Sequence, residues 1–471
     1  MQNKLIVLFS ICFISMISAQ ENKTQFSLDE AIKFAIKNNY DAKVATNNIA
    51  AAKEKQWETT TIGLPQINAK VDYQNWIKQQ VSLFPASFSD QYSQLRLLED
   101  FYDLSTLANI KAIPDAPTGL VPVTFGAKQT MNASITLNQL IFDGSYLVGL
   151  QSAKTYLKIS KQAKEKTELA IREGVINAYG NVLVAEKSIE ILKNNLKVLE
   201  KNFNDAQKIY QNGLNEEEDV EQLQITLTNV KSQLNKTIRL KNIGYKMLNL
   251  SLGRPIKEPL QLTDNLDSLT ENNISLSLLT TDFNLKNHID FRIAENDREG
   301  RRLLMLLEKS KALPSLRAFV NFGYMGNANS FSFFNSSQKW FDSSLLGVSL
   351  NIPVFSSFQR KAKTQQAKIE LENSDIKLVE IQERLNLGVA KAKTDYQFSI
   401  EQYDSARKNL KLAERIEKKQ QVKFFEGVSS SFDLSQAQNQ LYTQQQNYIQ
   451  SMLDVIAKKA ALENALNIPL K

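Results

Sequence analysis

The chain has 471 residues, of which 42% are hydrophobic and 23% charged, a composition that excludes a disordered chain and a helical membrane protein. Its single histidine and single cysteine exclude the most common metal ligands and nucleophiles. The net charge of +7 comes from basic residues spread along predicted helices without interleaved aromatic residues, so no nucleic-acid partner is expected.

Residues 1–19 have the three parts of a secretory signal peptide. Lys4 supplies the positive charge, an apolar stretch follows it, and Ser18-Ala19 provides the small residues of a cleavage site. The apolar stretch alone would also fit a buried N-terminal helix. Cys12, the only cysteine, lies inside this segment, and the residues before it lack the small side chain that a lipid-attachment signal requires. We therefore predict an exported protein whose mature chain has neither a thiol nor a lipid.

The chain contains an internal duplication. Three blocks recur in the same order: 38–73 matches 287–322, 136–142 matches 349–355, and 171–252 matches 385–466. The last match aligns Gly213 with Gly427 and Asp219 with Asp433. Three ordered blocks are unlikely to agree by chance, so the two halves are predicted to share one architecture.

The duplication predicts four segments: a signal peptide at 1–19, a first repeat at 20–252, a linker at 253–285 and a second repeat at 286–471. Each repeat is predicted to contain a helix, two strands and a long helical hairpin. The two strands are separated by a long segment, 74–128, in the first repeat and by a short one, 323–341, in the second.

The hairpin helices are indicated by apolar residues that alternate steps of four and three. In the first repeat these residues are Ile171, Val175, Ala178, Val182, Ala185, Ile189, Leu192, Leu196, Leu199, Phe203, Ala206 and Tyr210. In the second they are Leu385, Val389, Ala392, Tyr396, Tyr403, Ala406, Leu410 and Ala413. Such a heptad seam is typical of helices packed as coiled coils. A helix over 145–211 would be about 100 Å long at about 1.5 Å per residue.

Four segments alternate apolar and polar residues, as strands do. Their apolar members are Ile67, Ala69, Val71 and Tyr73; Met131, Ala133, Ile135 and Leu137; Leu316, Ala318, Val320 and Phe322; and Leu346, Val348, Leu350, Ile352 and Val354. A half-buried strand of a soluble sheet would show the same alternation. In an exported chain without an apolar run of about 18 residues, the pattern favours barrel strands with one face in lipid and the other in water. Because long loops of outer-membrane barrels face outward, the segment 74–128 is predicted to be an outer loop.

Four strands of this kind predict an oligomer. They are too few to close a barrel, because the smallest closed barrels have about eight strands. Lipid does not tolerate an open sheet edge, since the backbone groups along it would lack hydrogen-bond partners. Strands that span a membrane must therefore be completed by further copies of the chain.

With these features the chain resembles the outer-membrane efflux protein family, the TolC-like exit ducts, over residues 26–468. The resemblance is carried by the segments 210–220 and 424–434. It is also carried by the Leu-Pro pairs that end at Pro65 and Pro314, directly before predicted strands. Each signature occurs twice, at the spacing of the repeat. The pair is therefore stronger evidence for the resemblance than a single copy would be.

The resemblance implies a mainly α fold with a membrane β-barrel. Long antiparallel helical hairpins, duplicated within the chain, would form a coiled-coil tunnel, and four transmembrane strands per chain would be completed to a barrel in a homotrimer. The barrel would lie in the lipid of the outer membrane of a Gram-negative cell, and the helices in the periplasm. A periplasmic adaptor (membrane fusion) protein and an inner-membrane pump would be the partners. The chain has no phosphate-binding loop, in agreement with a pump that supplies the energy.

Gly213 and Gly427 are predicted to mark the helix–helix turns at the periplasmic tip. Glycine permits the backbone conformation that ends one helix and allows the next to start. The resemblance implies that these turns, together with Asp219 and Asp433, form the region where the adaptor docks.

A structural interpretation of the acids near the turns is helix capping. Asn215 with Glu218, and Ser430 with Asp433, have the spacing of an N-cap residue and an acid three positions later. Acids in the first turn also favour the positive end of the helix dipole. Under this interpretation Asp219 and Asp433 are mainly structural.

A functional interpretation of the first-repeat acids is an acidic aperture. Glu216, Glu217, Glu218 and Asp219 of three copies would bring twelve carboxylates near one opening. Such a ring favours cations and disfavours anions. Some members of the family have a further acid three residues after the second-repeat aspartate, where this chain has Gln436. The aperture would therefore depend on the acids of the first repeat.

Other functions fit the sequence less well. Catalysis would have to rest on carboxylates, but these lie mostly on helix positions that flank the heptad seams, where solvated charges are expected. The only histidine, His288, is expected to be structural. A periplasmic coiled-coil adaptor that is not a pore would explain long helices, but not two hairpins with two pairs of strands. No enzyme activity, catalytic residue, cofactor or bound metal is therefore predicted.

The cargo is the least specified part of the prediction. Within the exit-duct interpretation, small toxic compounds are the preferred cargo, and polypeptides of type I secretion are the alternative. With one histidine, one cysteine and seven methionines, the chain shows no stripe of metal ligands, which argues against dedicated copper or silver export.

Overall fold

The structure is a computed structural model that describes residues 24–99, 115–214 and 216–468. The predicted signal peptide and Asn215 lie outside the described residues. The chain divides into two compact units, which comprise Met1–Gln56, Gln151–Leu306 and Ala362–Lys471 in the first and Trp57–Leu150 and Leu307–Lys361 in the second. Each unit therefore draws on both halves of the sequence.

Long helices and a smaller number of strands make up the described chain. The helices are α1 (Leu28–Asn38), α2 (Tyr40–Thr61), α3 (Ser93–Glu99), α4 (Gly144–Gln211), α5 (Glu217–Leu252), α6 (Leu266–Asn272), α7 (Ile289–Ser310), α8 (Gln359–Phe425) and α9 (Ser431–Ala465). The strands are β1 (Gln25–Phe26), β2 (Gln66–Asn75), β3 (Val81–Pro85), β4 (Leu120–Thr124), β5 (Gln129–Asp143), β6 (Gln261–Leu262), β7 (Ser315–Ala328) and β8 (Trp340–Asn351). Among the described helices, none combines the length and the apolar character that crossing a membrane requires.

Two helices are far longer than those of ordinary globular domains. Helix α4 has 68 residues and α8 has 67, so each is about 100 Å long at about 1.5 Å per residue. A short turn joins α4 to α5, and another joins α8 to α9. The two predicted helical hairpins are thus confirmed, and the first begins within one residue of the predicted position.

The predicted heptad seams are the buried faces of these helices. In α4, Val175, Val182 and Leu199 are almost completely buried, while Tyr210, at the end of the seam, is partly exposed. The buried members of the α8 seam are Val389, Tyr396, Tyr403, Ala406 and Ala413. Most other residues of α8 are exposed, so this helix contacts its own chain through one narrow face.

The segment 253–285 packs into the largest hydrophobic core. Leu266 belongs to this core, and β1 pairs in parallel with β6. The Tyr179 hydroxyl lies 3.0 Å from both the Phe26 carbonyl oxygen and the Asp264 carboxylate. A helix side chain thereby holds the start of the described chain and the segment between the repeats together.

The four predicted strands form one antiparallel sheet in the order β2-β5-β7-β8. The register pairs Ile67 with Leu137, Leu137 with Val320, and Val320 with Leu346. Directly paired residues of adjacent strands point to the same face of a sheet. The four apolar sets that the sequence indicates therefore lie on one face, which confirms the alternation.

Two features of this unit differ from the sequence-based expectation. Strand β8 ends at Asn351, so Ile352 and Val354 lie beyond it. The reason is Pro353, which has no N–H to donate to a strand ladder.

Within the segment 74–128, β3 and β4 form a further antiparallel pair, and α3 lies between them in the chain. These elements have only five to seven residues each and give little periodic signal.

Candidate functional site at the helical turns

Both hairpin turns contain a glycine in the left-handed backbone region, where L side chains are strained. The φ angle is +72° at Gly213 and +70° at Gly427. In the first turn the N–H of Leu214 donates to the carbonyl of Ile209 at 3.1 Å, and the N–H of Gly213 donates to that of Tyr210 at 2.8 Å. The second turn has the equivalent pair of hydrogen bonds. This is the Schellman motif, which satisfies carbonyls at the end of a helix.

The ends of the two hairpins expose apolar side chains. Leu214 and Val428, the residues that follow the two glycines, are 79% and 75% exposed, and Phe432 is 66% exposed. In many Schellman motifs the residue after the glycine packs against the preceding helix. Here it faces solvent in both turns, so an apolar surface lies at the end of each hairpin.

The predicted cap of the second hairpin is confirmed. Ser430 is the N-cap residue of α9, and its hydroxyl accepts a hydrogen bond from the N–H of Asp433 at 3.2 Å. The Asp433 carboxylate in turn accepts from the Ser430 hydroxyl, from the Ser429 hydroxyl and from the Ser430 N–H. These hydrogen bonds, that of the Ser430 hydroxyl first, hold the pKa of Asp433 below its usual value. Asp433 therefore has a structural role.

The predicted cap of the first hairpin is wrong by one residue. The N-cap residue of α5 is Glu216, not Asn215, and its side chain makes no capping hydrogen bond. The repeat aligns Glu216 with Ser430, so the duplication itself indicates the right position. Glutamate is not among the side chains that cap well. The acids that follow, Glu217, Glu218 and Asp219, lie in the first turn, where the helix dipole favours them.

Asp219 caps a helix of the other hairpin. Its carboxylate accepts a hydrogen bond at 3.1 Å from the backbone N–H of Ser431, the first residue of α9. That N–H is one of those that a helix leaves unsatisfied at its start. The two residues are 212 positions apart, so the sequence offered no signal for this contact.

Behind the turns, the two hairpins share a small hydrophobic core. Its buried members are Ala206, Leu223, Phe424 and Leu434, and Phe203 and Phe425 pack against them. One residue comes from each of α4, α5, α8 and α9, so all four helices meet within a few turns of the glycines. We call 199–234 and 413–441 the hairpin tip.

Polar contacts also link the hairpins at the tip. The Thr226 and Ser435 hydroxyl oxygens lie 3.1 Å apart, and the Gln421 amide donates to the Asn202 side chain at 2.9 Å. Gln438 is 1% exposed and lies beside the Glu417 side chain. Burial raises the pKa of Glu417, and a hydrogen bond with the Gln438 side chain opposes this effect. The sequence did not predict this buried polar layer.

The four acids of the predicted aperture lie within one turn of the start of α5. Glu216, Glu217 and Glu218 are exposed, and Asp219 is half-buried. Gln436, the neutral residue three positions after Asp433, is exposed on α9. The structure thus brings the acids together in one chain, and their arrangement around an opening remains a prediction.

The remaining candidate residues have structural positions. Pro65 and Pro314 directly precede β2 and β7, as predicted. The His288 ring is buried against Phe283, and its Nδ1 accepts from the N–H of Asp290 at 3.2 Å near the start of α7. Burial lowers the pKa of His288. Within the described ranges, no group of three or more potential ligands is arranged to hold a metal ion.

Known proteins with related sequences are outer-membrane components of efflux pumps. The antibiotic efflux pump outer membrane protein ArpC and the toluene efflux pump outer membrane protein TtgC, both of Pseudomonas putida, are each 23% identical to this chain over 327 residues. The match covers 67% of this chain and 64% of each relative. The chain thus aligns with somewhat less than two thirds of each relative's length.

Solved structures show the same fold over almost the whole chain. VceC of Vibrio cholerae has a TM-score of 0.67 at 15% identity, covering 94% of this chain and 97% of VceC. The open state of the Neisseria gonorrhoeae channel MtrE has a TM-score of 0.68 at 16% identity, covering 94% and 89%. CusC has a TM-score of 0.70 at 16% identity, covering 93% and 92%. These likenesses confirm the TolC-like fold that the sequence predicts.

A model of the outer membrane efflux protein family matches residues 120–253 and 284–467. The two matched segments contain both hairpins, both glycine turns and the strands β5, β7 and β8. This family consists of channels and not of enzymes, in agreement with the absence of a predicted catalytic site. The chain belongs to the outer membrane efflux protein family.

Proposed function

We propose that three copies of this chain form an outer-membrane exit duct of a tripartite efflux system. In this proposal the duct receives small toxic compounds from an inner-membrane pump through a periplasmic adaptor. The four-stranded sheet, with its continuous apolar face and two open edges, is the observation that carries the proposal.

The apolar face of the sheet is exposed to an unusual degree. Ile67, Val71, Leu346 and Val348 are each 67% to 73% exposed in the single chain. A soluble protein rarely leaves a contiguous apolar surface of this kind uncovered. Lipid would cover it, because the outer faces of membrane strands are apolar while the opposite faces are polar.

The edges of the sheet favour an oligomer. In the described chain β2 pairs only with β5, and β8 pairs only with β7, so each has one free edge. Unpaired backbone groups cost several kcal/mol each in hydrocarbon, about the value of a lost hydrogen bond in an apolar medium. Pairing of β8 with β2 of the next copy would satisfy them. Three copies would then contribute twelve strands, enough for a closed barrel.

The helical hairpins support a periplasmic part of the duct. The longer helix of each, α4 or α8, is about 100 Å long, much longer than the thickness of a bilayer. The turn end of each hairpin exposes apolar side chains. These are Leu214 in the first hairpin and Val428 and Phe432 in the second. We propose that these residues contact the adaptor, which would bury them.

The cargo is proposed by analogy with the relatives. One relative is described as an antibiotic efflux protein and another as a toluene efflux protein, which favours small compounds. Secretion of polypeptides is the alternative, and no contact in the described chain favours it. The acids at the start of α5 would form the aperture and favour cations over anions.

Deletion and complementation in the native host would test the proposal. Cells without the chain should accumulate a fluorescent small compound and become sensitive to toxic ones, and the unaltered chain should restore export. A variant with Leu214→Ser and Val428→Ser should form the same conducting channel in planar bilayers but fail to restore export. Absence of any conductance by the purified unaltered protein would contradict the proposal, and loss of polypeptide secretion alone would support the alternative cargo.

A further inference from the structure

The turn from β8 to α8 exposes large apolar side chains. It comprises residues 352–358, and in it Val354 is 88% exposed, Phe355 76% and Phe358 71%. The rings of Phe355 and Phe358 meet edge to face, with their centroids 6.0 Å apart. Soluble surfaces rarely carry large apolar side chains in such a group. The turn therefore requires a cover that the described part of the chain does not provide.

The backbone of this turn is strained. Ser357 and Phe358 have φ angles of +46° and +64°, in the left-handed region that L residues rarely adopt. The Arg360 guanidinium donates from Nη1 to the Pro353 carbonyl at 2.8 Å and from Nε to the Ser356 hydroxyl at 3.1 Å. Strained backbone persists where surrounding contacts impose it, and it is common at sites of function. The contacts of Arg360 thus hold Phe358 in an exposed position.

The first residues of α8 are basic. Arg360, Lys361 and Lys363 lie within its first five positions, and its first turn contains no acid. Lys361 and Lys363 are exposed, and neither forms an ion pair with any residue that the structure describes. Positive charges at the start of a helix oppose the helix dipole. This charge arrangement is therefore unfavourable for the helix alone, and a neighbouring anion would offset it.

The corresponding position in the first repeat has a different chemistry. A shift of 213 residues aligns the two strand-to-helix junctions and places Asp143 on Ser356. The Asp143 carboxylate accepts a hydrogen bond from the N–H of Ser145 at 2.8 Å, so an acid caps the start of α4. The α4 positions that correspond to the three basic residues of α8 are apolar, namely Leu147, Val148 and Leu150. The basic start of α8 is thus specific to the second repeat and is not required by the shared fold.

We infer that the turn 352–358 and the start of α8 bind anionic phospholipids in the periplasmic leaflet of the outer membrane. The inference rests on the proposed function, which places the sheet in the membrane and the helices in the periplasm. Phe355 and Phe358 would lie between the acyl chains and the headgroups. Lys361 and Lys363 would bind the lipid phosphates, so the site would prefer anionic lipids to zwitterionic ones.

Two observations favour lipid as the occupant of this surface. The apolar alternation of β8, which includes Leu350, continues into the turn with Ile352 and Val354. Lipid that covers the apolar face of β8 would therefore extend to the turn. The lysines follow the apolar turn directly in the chain, as the headgroup level follows the hydrocarbon on the way out of a bilayer. Lipid complements both parts of the surface, the apolar turn and the positive charges.

Brominated lipids would test the inference, because bromine on the acyl chains quenches fluorophores that lie among them. The only cysteine is Cys12, in the predicted signal peptide, so a single introduced thiol can be labelled in the mature chain. A fluorophore on Val354→Cys of the full-length channel in vesicles should be quenched more by brominated phosphatidylglycerol than by brominated phosphatidylcholine. The same fluorophore on Val71→Cys, on the apolar face of the sheet, should be quenched equally by both lipids.

Replacement of the two lysines would test the role of charge. Each basic residue near an anionic membrane surface contributes roughly fivefold in affinity. Lys361→Gln combined with Lys363→Gln should therefore lower the preference for phosphatidylglycerol at Val354→Cys by roughly fivefold for each lysine. Lys408→Gln combined with Lys411→Gln is the matched control, because it removes the same charge from exposed positions of α8 about 70 Å away. The control should leave the lipid preference unchanged.

Three outcomes would overturn the inference. One is a fluorophore on Val354→Cys that neither lipid quenches while that on Val71→Cys is quenched, since protein would then cover the turn. A second is equal quenching by the two lipids at Val354→Cys. A third is an unchanged lipid preference after replacement of both Lys361 and Lys363. Quenching at Val71→Cys would in each case leave the proposed function standing, whereas its absence would remove the proposed function as well.

Discussion

Removal of the Asp219 carboxylate should loosen the contact between the two hairpin turns. Asp219 accepts one hydrogen bond at 3.1 Å from the first N–H of α9, and this N–H has no partner within its own helix. Asp219→Ala therefore removes a charged acceptor from the start of a helix. The change leaves the heptad seams and the small core at the tip intact.

The expected cost is about 1 kcal/mol. Loss of a side-chain cap costs about 0.5–2 kcal/mol, and the favourable interaction of an acid with the helix start contributes about 0.3–1 kcal/mol of the same effect. A local loss of about 1 kcal/mol corresponds to about a fivefold larger population of the open state. The backbone amide of Ser431 should therefore exchange its hydrogen about fivefold faster.

Hydrogen exchange measured by mass spectrometry would report this change at the start of α9. Glu218→Ala is the matched control, because it removes an exposed acid of the same charge from the same turn. We expect the control to leave exchange at Ser431 within a factor of two of the unaltered chain, since exposed substitutions cost at most about 0.5 kcal/mol. Equal acceleration by both variants would refute the argument, because the effect would then come from charge and not from the hydrogen bond.

Three further predictions concern the same region. The pKa of Asp433 is lowered, so its stabilising contribution is complete above its unfolded pKa of about 3.9 and is lost as the pH falls through the folded value. Asp433→Asn should abolish this part of the pH dependence of hydrogen exchange in α9. An unchanged pH profile would contradict the capping role. Gln438→Leu should destabilise the tip by about 1 kcal/mol in chemical denaturation, because it removes the side-chain hydrogen bond that opposes the effect of burial on Glu417. Gln224→Leu, at the exposed repeat equivalent, should have little effect. Equal stability of the two variants would show that the Gln438 amide does not support Glu417. Replacement of Glu216–Asp219 by the corresponding amides should shift the reversal potential towards lower cation preference. An unchanged potential would leave these acids with structural roles only, at the helix dipole of α5 and, for Asp219, at the start of α9.

The long helices could be predicted because their signal is local and repeated. The α4 seam runs from Ile171 to Tyr210 without a break, and each step places the next apolar residue on the same helix face. The structure buries this seam along nearly all of its length. Strand alternation was equally informative for β2, β5 and β7. It failed only at the end of β8, where Pro353 interrupts the ladder while the apolar alternation continues.

The contacts between the hairpins could not be predicted in the same way. Asp219 with Ser431 and Asn202 with Gln421 join residues more than 200 positions apart, and no periodic pattern marks them. Gln438 is buried although glutamine is usually exposed and although its repeat equivalent, Gln224, is exposed. Duplication conserves the order of elements, but the two copies bury different faces.

The N-cap residue of α5 could not be predicted from residue preference alone. Asn215 is a better capping side chain than Glu216, so residue preference alone favours the wrong position. Alignment of the two repeats on their glycines gives Glu216, the position that the structure shows. The internal repeat was therefore the stronger guide to the helix start than the preference of a single residue.

The native mass of the protein, extracted from outer membrane in mild detergent and measured by light scattering, tests the central claim most directly. The account predicts three chains in each particle, because four strands with two open edges require further copies to close a barrel. A stable monomer in that preparation, or protein released from the membrane without detergent, would contradict the exit-duct proposal.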